Sequence, residues 1–171
     1  MAINRLNHAV LYVRDAERSA TFFTEVLGFR RIDAYRMRGA VFLRAEGSTN
    51  DHDLGLFSIG DAAVDSPAGR GTVGLYHLGW EVDTLSDLAR FAEQLTASNA
   101  LVGSSDHGTT KALYARDPDG LEFELTWIVP ADQLTADTGP GVRPLDLVAD
   151  MDRYGPDTLG GVGVSRPAAV G

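Results

Sequence analysis

Among its 171 residues the chain has no cysteine, only two tryptophans and only four histidines. Without thiols there is no disulfide, no thiolate nucleophile and no sulfur-ligated zinc, so any metal must be held by imidazole and carboxylate. Long apolar runs are missing as well. Nothing reaches the roughly 18 residues that a membrane-spanning helix requires, and Met1-Ala2-Ile3-Asn4-Arg5 opens no basic-then-apolar signal segment. The expectation is a cytoplasmic protein without a membrane partner. Positive charge is scarce: 15 Lys and Arg stand against 24 Asp and Glu, for a formal net charge of −9. A polyanion would be repelled by most of such a surface, which argues against nucleic acid. What is present is 44% hydrophobic and 23% charged, the composition of a globular domain with a core.

The strongest organisational signal is a repeat. Leu6 to Val13 alternates and is rich in branched and aromatic residues. Asp15 then stands as an N-cap before Ala16 to Leu27, with Gly28 as a C-terminal stop. Strands are expected at Phe29 to Tyr35, Ala40 to Arg44 and Asp53 to Ile59. After the Gly-, Ala- and Asp-rich stretch Gly60 to Gly74, the order begins again. Leu75 to Val82 reads as a strand, and Thr84 with Asp87 approximates a capping box. Leu85, Leu88, Ala92 and Leu95 form a stripe at helical spacing, and strands follow at Ala100 to Val102, Lys111 to Arg116 and Leu121 to Ile128.

Leu6-Asn7-His8 matches Leu75-Tyr76-His77, Val13 matches Val82 and Phe22 matches Phe91, all at one offset. Residues 3–60 are therefore a first module, 61–74 a linker and 75–129 a second module, with 130–171 as a C-terminal extension. The expected fold is α+β, with paired βαβββ modules forming a curved eight-stranded sheet, an incomplete barrel, around a cup, with the helices outside.

Alternation along a strand says which residues face such a cup. Tyr76, Leu78, Trp80 and Val82 share an apolar face, leaving His77, Gly79 and Glu81 on the other. Leu121, Phe123, Leu125 and Trp127 leave Glu122, Glu124 and Thr126 opposite. His8 opposes Ala9, Leu11 and Val13, and Tyr114 opposes Leu113 and Ala115.

The segment Asp106 to Glu124, with His107, Leu113-Tyr114, Asp117-Pro118-Asp119-Gly120 and Glu124, resembles the signature of type I extradiol dioxygenases of the vicinal oxygen chelate superfamily. Ser105, two residues before His107, lies outside that family's usual set. His52-Asp53-Leu54-Gly55-Leu56 and His77-Leu78-Gly79-Trp80-Glu81-Val82 resemble two further family segments, and the likeness covers roughly Ile3 to Trp127. It implies an Fe(II)-dependent enzyme, with Mn(II) or another divalent metal as an alternative, that cleaves a catecholic aromatic ring with dioxygen. By position, His8, His77 and Glu124 match the metal ligands, His52 the acid–base histidine, and His107 and Tyr114 the groups that contact substrate. Glu122 faces the same way as Glu124 and is its rival, with a rim salt bridge as its plainer role. Two neutral imidazoles and one carboxylate leave three adjacent positions on iron, two for catechol oxygens and one for dioxygen.

The same superfamily also supports glyoxalase-like isomerases and lyases, whose metal takes four protein ligands, and metal-free drug-sequestering proteins of the bleomycin-resistance kind. Only His52 stands near the place of a fourth ligand here. Phe42, Leu56 and Met37 are read as shaping an apolar pocket for an aromatic substrate. The tail is read as a packing strap, with a lid or a contact in a homo-oligomer as the alternative. Pro144 to Asp150 is expected to make one helical turn or two.

Overall fold

The computed structural model describes residues 2–3, 5–35, 37–69, 71–135, 138–139 and 141–161. Arg36, part of an expected turn, and residues 162–171 of the tail lie outside them. The chain divides into two compact units: residues 1–67 with the turn 117–121, and residues 68–116 with 122–171.

In the first unit, β1 (Ala9–Val13) leads into α1 (Ala16–Leu27), followed by β2 (Arg30–Arg31), β3 (Ala40–Arg44) and β4 (Leu54–Ser58). These strands form a four-stranded sheet in the order β1-β4-β3-β2, with β1 and β4 parallel and the other pairs antiparallel. The expected helix forms because both ends are capped. The Asp15 carboxylate accepts from the amides of Glu17 and Arg18 at 2.8 and 3.3 Å, and Gly28 takes the left-handed φ of 71° that lets the Phe29 amide reach the Phe23 carbonyl. Val13, Leu43, Leu54 and Leu56 are at most 1% exposed beneath it. Burying each such side chain contributes about 1.5–3 kcal/mol, so a slip of register by one residue would be strongly disfavoured, and the opposite face of the sheet is settled by default.

Leu56 thus belongs to the core and does not line a substrate pocket. It shares the face of Leu54 and Val41 by alternation and register. The second strand is also much shorter than expected. After Arg31 only the Ile32 amide still reaches Phe42, and Asp33-Ala34 turn the chain away.

The second unit repeats this plan with β5 (His77–Glu81), α2 (Leu85–Ala97), β6 (Leu101–Asp106), β7 (Thr110–Arg116) and β8 (Glu122–Ile128), in the sheet order β5-β8-β7-β6. Thr84 caps α2, its hydroxyl accepting from the Asp87 amide at 3.0 Å and donating to the Asp87 carboxylate at 2.7 Å. The sixth strand runs four residues past the expected Val102. Gly103-Ser104-Ser105-Asp106 is polar and follows a bulge at Leu101/Gly103, so composition hid a segment that pairs with β7 through Asp106↔Lys111. The α+β class and the paired βαβββ order are as expected. Among the described residues no helix is long and apolar enough to cross a membrane.

The C-terminal residues add α3 (Leu147–Tyr154), two turns capped by Asp146. This helix packs against α2, with the Tyr154 ring 5.5 Å from Trp127. Lys111, 2% exposed, is clamped between Asp106 and Asp150, both at 2.8 Å. Burial works against its charge, but the two carboxylates outweigh that and raise its pKa. The Asp106 carboxyl is held below its usual range because hydrogen bonds from Lys111 and the Gly108 amide overcome the effect of burial.

Candidate metal centre

In the first unit two histidines meet off the ends of strands. His8 lies immediately before β1 and is exposed, with Nδ1 at 2.7 Å from the Asn7 side-chain oxygen. Its ring centroid is 4.4 Å from that of His52. His52 precedes β4, and its side chain is 14% exposed, walled by Phe42 and Tyr35 at centroid distances of 5.3 and 5.8 Å.

The neighbouring Asp53 builds this arrangement. Its buried carboxylate accepts from the Ala45 amide, the Ser48 hydroxyl and the Asn50 amide group at 2.6–2.8 Å, which closes the loop on itself. Asn50 also donates to the Asn7 carbonyl at 2.7 Å, and the Ala9 amide donates to the Asp53 carbonyl at 2.9 Å, tying the residues around His8 to those around His52. Asp51 sits alongside. The backbone amide of His52 and the Tyr35 hydroxyl hold its carboxyl below the usual range, although some desolvation opposes them. His52 Nδ1 lies 3.2 Å from Asp51 but is not aligned for a hydrogen bond, so this buried nitrogen has no hydrogen-bond partner among the described residues.

In the second unit His77, Tyr114 and Glu124 stand within strands, on the face expected, and His107 lies in the β6–β7 turn. Phe123, Leu125 and Trp127 are buried, while Glu122, Glu124 and Thr126 take the alternate positions of β8. The register places Gly79 on one side of Glu124 and Tyr114 on the other. His77 Nε2 is 3.3 Å from Glu124 Oε2. His77 Nδ1 is buried without a hydrogen-bond partner among the described residues. Gly79 keeps the carboxylate open, since a Cβ there would already lie 3.6 Å from Glu124 Oε2 and a longer side chain would cover it. Glu122 is engaged elsewhere, pairing with Arg116 at 2.7 Å.

Tyr114 and His107 complete this group, with Tyr114 Oη and His107 Nε2 2.8 Å apart. Burial, and then the nearby Glu124 carboxylate, push the Tyr114 phenol up to about 12, so it stays protonated and able to donate. The other ring nitrogen of His107 faces the Gly141 carbonyl at 3.0 Å. Nothing in the sequence pointed to that last contact, because the tail has no periodicity. Asp53 was equally silent, although its place next to His52 was the one available hint.

The expected site residues therefore fall into pairs: His8 with His52, His77 with Glu124, and His107 with Tyr114. Among the described residues no three His, Asp or Glu side chains gather into a group able to hold a metal ion.

The sequence pattern of the Glyoxalase/Bleomycin resistance protein/Dioxygenase superfamily matches residues 5–125. The chain belongs to that superfamily. Among curated relatives, this superfamily member is 30% identical over 131 residues to the manganese-dependent 2,3-dihydroxybiphenyl 1,2-dioxygenase of Geobacillus genomosp. 3, covering 74% of the chain and 38% of that protein. It is 31% identical over 158 residues to biphenyl-2,3-diol 1,2-dioxygenase 3 of Rhodococcus globerulus, covering 84% and 80%. It spans 40% of the catechol-2,3-dioxygenase of Bacillus subtilis, so two of these three relatives are much longer proteins. Among solved structures, a glyoxylase/bleomycin resistance protein/dioxygenase domain from Frankia sp. EAN1pec aligns with a TM-score of 0.61 at 22% identity, covering 73% of this chain and 92% of that one. The fosfomycin resistance protein FosX of Listeria monocytogenes aligns at 0.55 and 18%, covering 73% and 93%. At those identities the structures speak for the fold alone.

Proposed function

We propose that this superfamily member is a metal-dependent extradiol dioxygenase acting on a catecholic aromatic substrate, with His8, His77 and Glu124 as the ligands of Fe(II) or Mn(II). The observation that carries the reading is the His77–Glu124 pair on one sheet face beside Tyr114, whose hydroxyl meets His107 from the β6–β7 turn. The donor chemistry fits: imidazole and carboxylate without sulfur suit a divalent iron or manganese, and the buried Nδ1 of His77 has no hydrogen-bond partner among the described residues. Dioxygenase-named relatives near 30% identity, one of them manganese-dependent, support the same class.

A bound divalent metal would acidify the catechol hydroxyl and conduct electron density from the ring to dioxygen. The protein's own residues do the rest. His52 takes a proton from the catechol and returns it as the ring opens. Phe42 and Tyr35 shield that imidazole from water. Tyr114, protonated throughout, and His107 flank the substrate oxygens and orient the ring, Tyr114 with its phenol group and His107 through its hydrogen bond to that phenol. Both atoms of dioxygen enter the product, a ring-opened compound of the muconic semialdehyde type.

The test is anaerobic loading with Fe(II) or Mn(II), then a panel of catechols with an oxygen electrode and visible absorbance. Oxygen uptake with coloured ring-opened product is expected. Turnover of a hemithioacetal without oxygen uptake would move the assignment to a glyoxalase-like isomerase.

A further inference from the structure

His107 sits where the C-terminal segment crosses the β6–β7 turn, and several contacts fix that crossing. Asp106 and Arg143 exchange both backbone hydrogen bonds, at 2.9 and 3.0 Å, and the Arg143 guanidinium reaches the Asp106 carboxylate at 3.4 Å. Gly108 has a φ of +84°. A Cβ there would collide with the Gly139 carbonyl and come within 2.6 Å of that of Thr138. Beyond the crossing, Asp150 of α3 is pinned to the buried Lys111. The backbone carbonyl of Gly141 is thereby held 3.0 Å from His107 Nδ1.

A carbonyl can only accept. The nitrogen facing it must carry the proton, and in the neutral ring the opposite nitrogen must then be bare. We propose that the strap carbonyl of Gly141 locks His107 in the Nδ1–H tautomer and so makes Tyr114 the donor to His107, with its proton turned away from Glu124, an inference that rests on the dioxygenase reading for its functional meaning.

The direction matters because Tyr114 has one hydroxyl proton, faces His107 Nε2 at 2.8 Å and stands opposite Glu124 in the β7–β8 ladder. With Nε2 bare, Tyr114 donates to His107, and the lone pairs of Glu124 stay available to a cation. With the opposite tautomer, His107 would donate to the Tyr114 oxygen, the phenol would turn its proton onto Glu124, and the carboxylate would be capped by a competing donor. The tail is in this sense a positioning element. It touches no reacting atom, and it acts through His107 on Tyr114, two hydrogen bonds away.

The experiment is long-range ¹H–¹⁵N correlation spectroscopy of the whole chain labelled at its four histidines, with His107→Asn to assign the resonance. The intact protein should show His107 with Nδ1 protonated and Nε2 bare. Gly108→Ala pushes the strap off the turn and Arg143→Ala removes an exposed tether, so both should convert that signature to a tautomer mixture. Both should also weaken Mn(II) binding by about tenfold, the lower end of what losing an outer partner of a ligand costs. Arg143→Ala changes only a surface side chain and serves if Gly108→Ala does not fold. An Nε2–H signature in the intact protein, or an unchanged signature in both variants, overturns the proposal. The spectra need neither metal nor substrate, so their outcome is separate from that of the oxygen-uptake test.

Discussion

In the first unit the candidate site residues, His8 and His52, sit just off the ends of strands and are placed by a loop that a buried aspartate closes. In the second unit, His77, Tyr114 and Glu124 stand inside strands, and ladder register places them. Two copies of one βαβββ plan thus position functional groups by different means. Where a side chain lies within a strand, a buried apolar face determines where its polar neighbours point. Where it lies beyond the strand, local polar closure must do that work, and Asp53 does it here through three hydrogen bonds.

The largest effect expected from this contrast concerns two glutamates on one strand face. Glu124→Ala should abolish metal retention, a loss beyond the roughly 10–100-fold that follows from removing an outer partner. Glu122→Ala breaks only a pair with Arg116 and should leave metal content unchanged. Metal analysis after gel filtration of both variants checks this. Equal losses would show that strand face, without register, is all that matters.

Lys111→Met should cost about 3 kcal/mol of stability, because it leaves the buried Asp150 without its cation and the half-buried Asp106 with only the exposed Arg143. The pH dependence follows from the two shifts. Asp106 titrates below its ordinary 3.8 in the folded chain, so its contribution is present above that value and is lost as pH falls through the depressed one. Lys111 titrates above 10.5, so its contribution is complete below 10.5 and is lost as pH rises through the raised value. The gap in melting temperature between wild type and variant should therefore be flat at neutral pH and narrow at both extremes. A gap that does not change with pH would remove the clamp from the account.

His52→Gln should keep the metal and slow catechol turnover by roughly a hundredfold, or about 2.7 kcal/mol in the barrier. Single-turnover kinetics on metal-loaded protein separates this from weaker substrate binding.

At the small end is Asp117 in the turn between β7 and β8. Burial raises its pKa even though the amides of Asp119 and Leu121 donate to it at 2.9 and 2.8 Å. Its ionised form is the costly one, so Asp117→Asn, which keeps the acceptor oxygen, should be at least as stable at pH 7 and should converge with wild type in acid. Urea melts at two pH values decide it.

The same contrast explains what could be read in advance. The helix Ala16–Leu27, its caps, the repeat, and the faces of β5, β7 and β8 were legible, because capping residues and alternating burial are written in adjacent positions. The Asp-Pro-Asp-Gly turn was recognisable as a turn, but not as the anchor it is: Asp119 accepts from the Arg14 amide at 2.8 Å and pairs with the Arg14 and Arg18 guanidiniums. Leu56 was misassigned to a pocket because one apolar strand residue looks like another until register is known. The Gly141–His107 contact joins residues 34 positions apart through a backbone atom, which no side-chain pattern encodes.

The central claim is the ligand set, and anaerobic Mn(II) binding to wild type, His8→Ala, Glu124→Ala and His52→Gln tests it most directly. The account predicts about one ion per chain in the wild type and in His52→Gln, and none retained in the other two. Binding that survives His8→Ala, or that is lost in His52→Gln as completely as in Glu124→Ala, would contradict it.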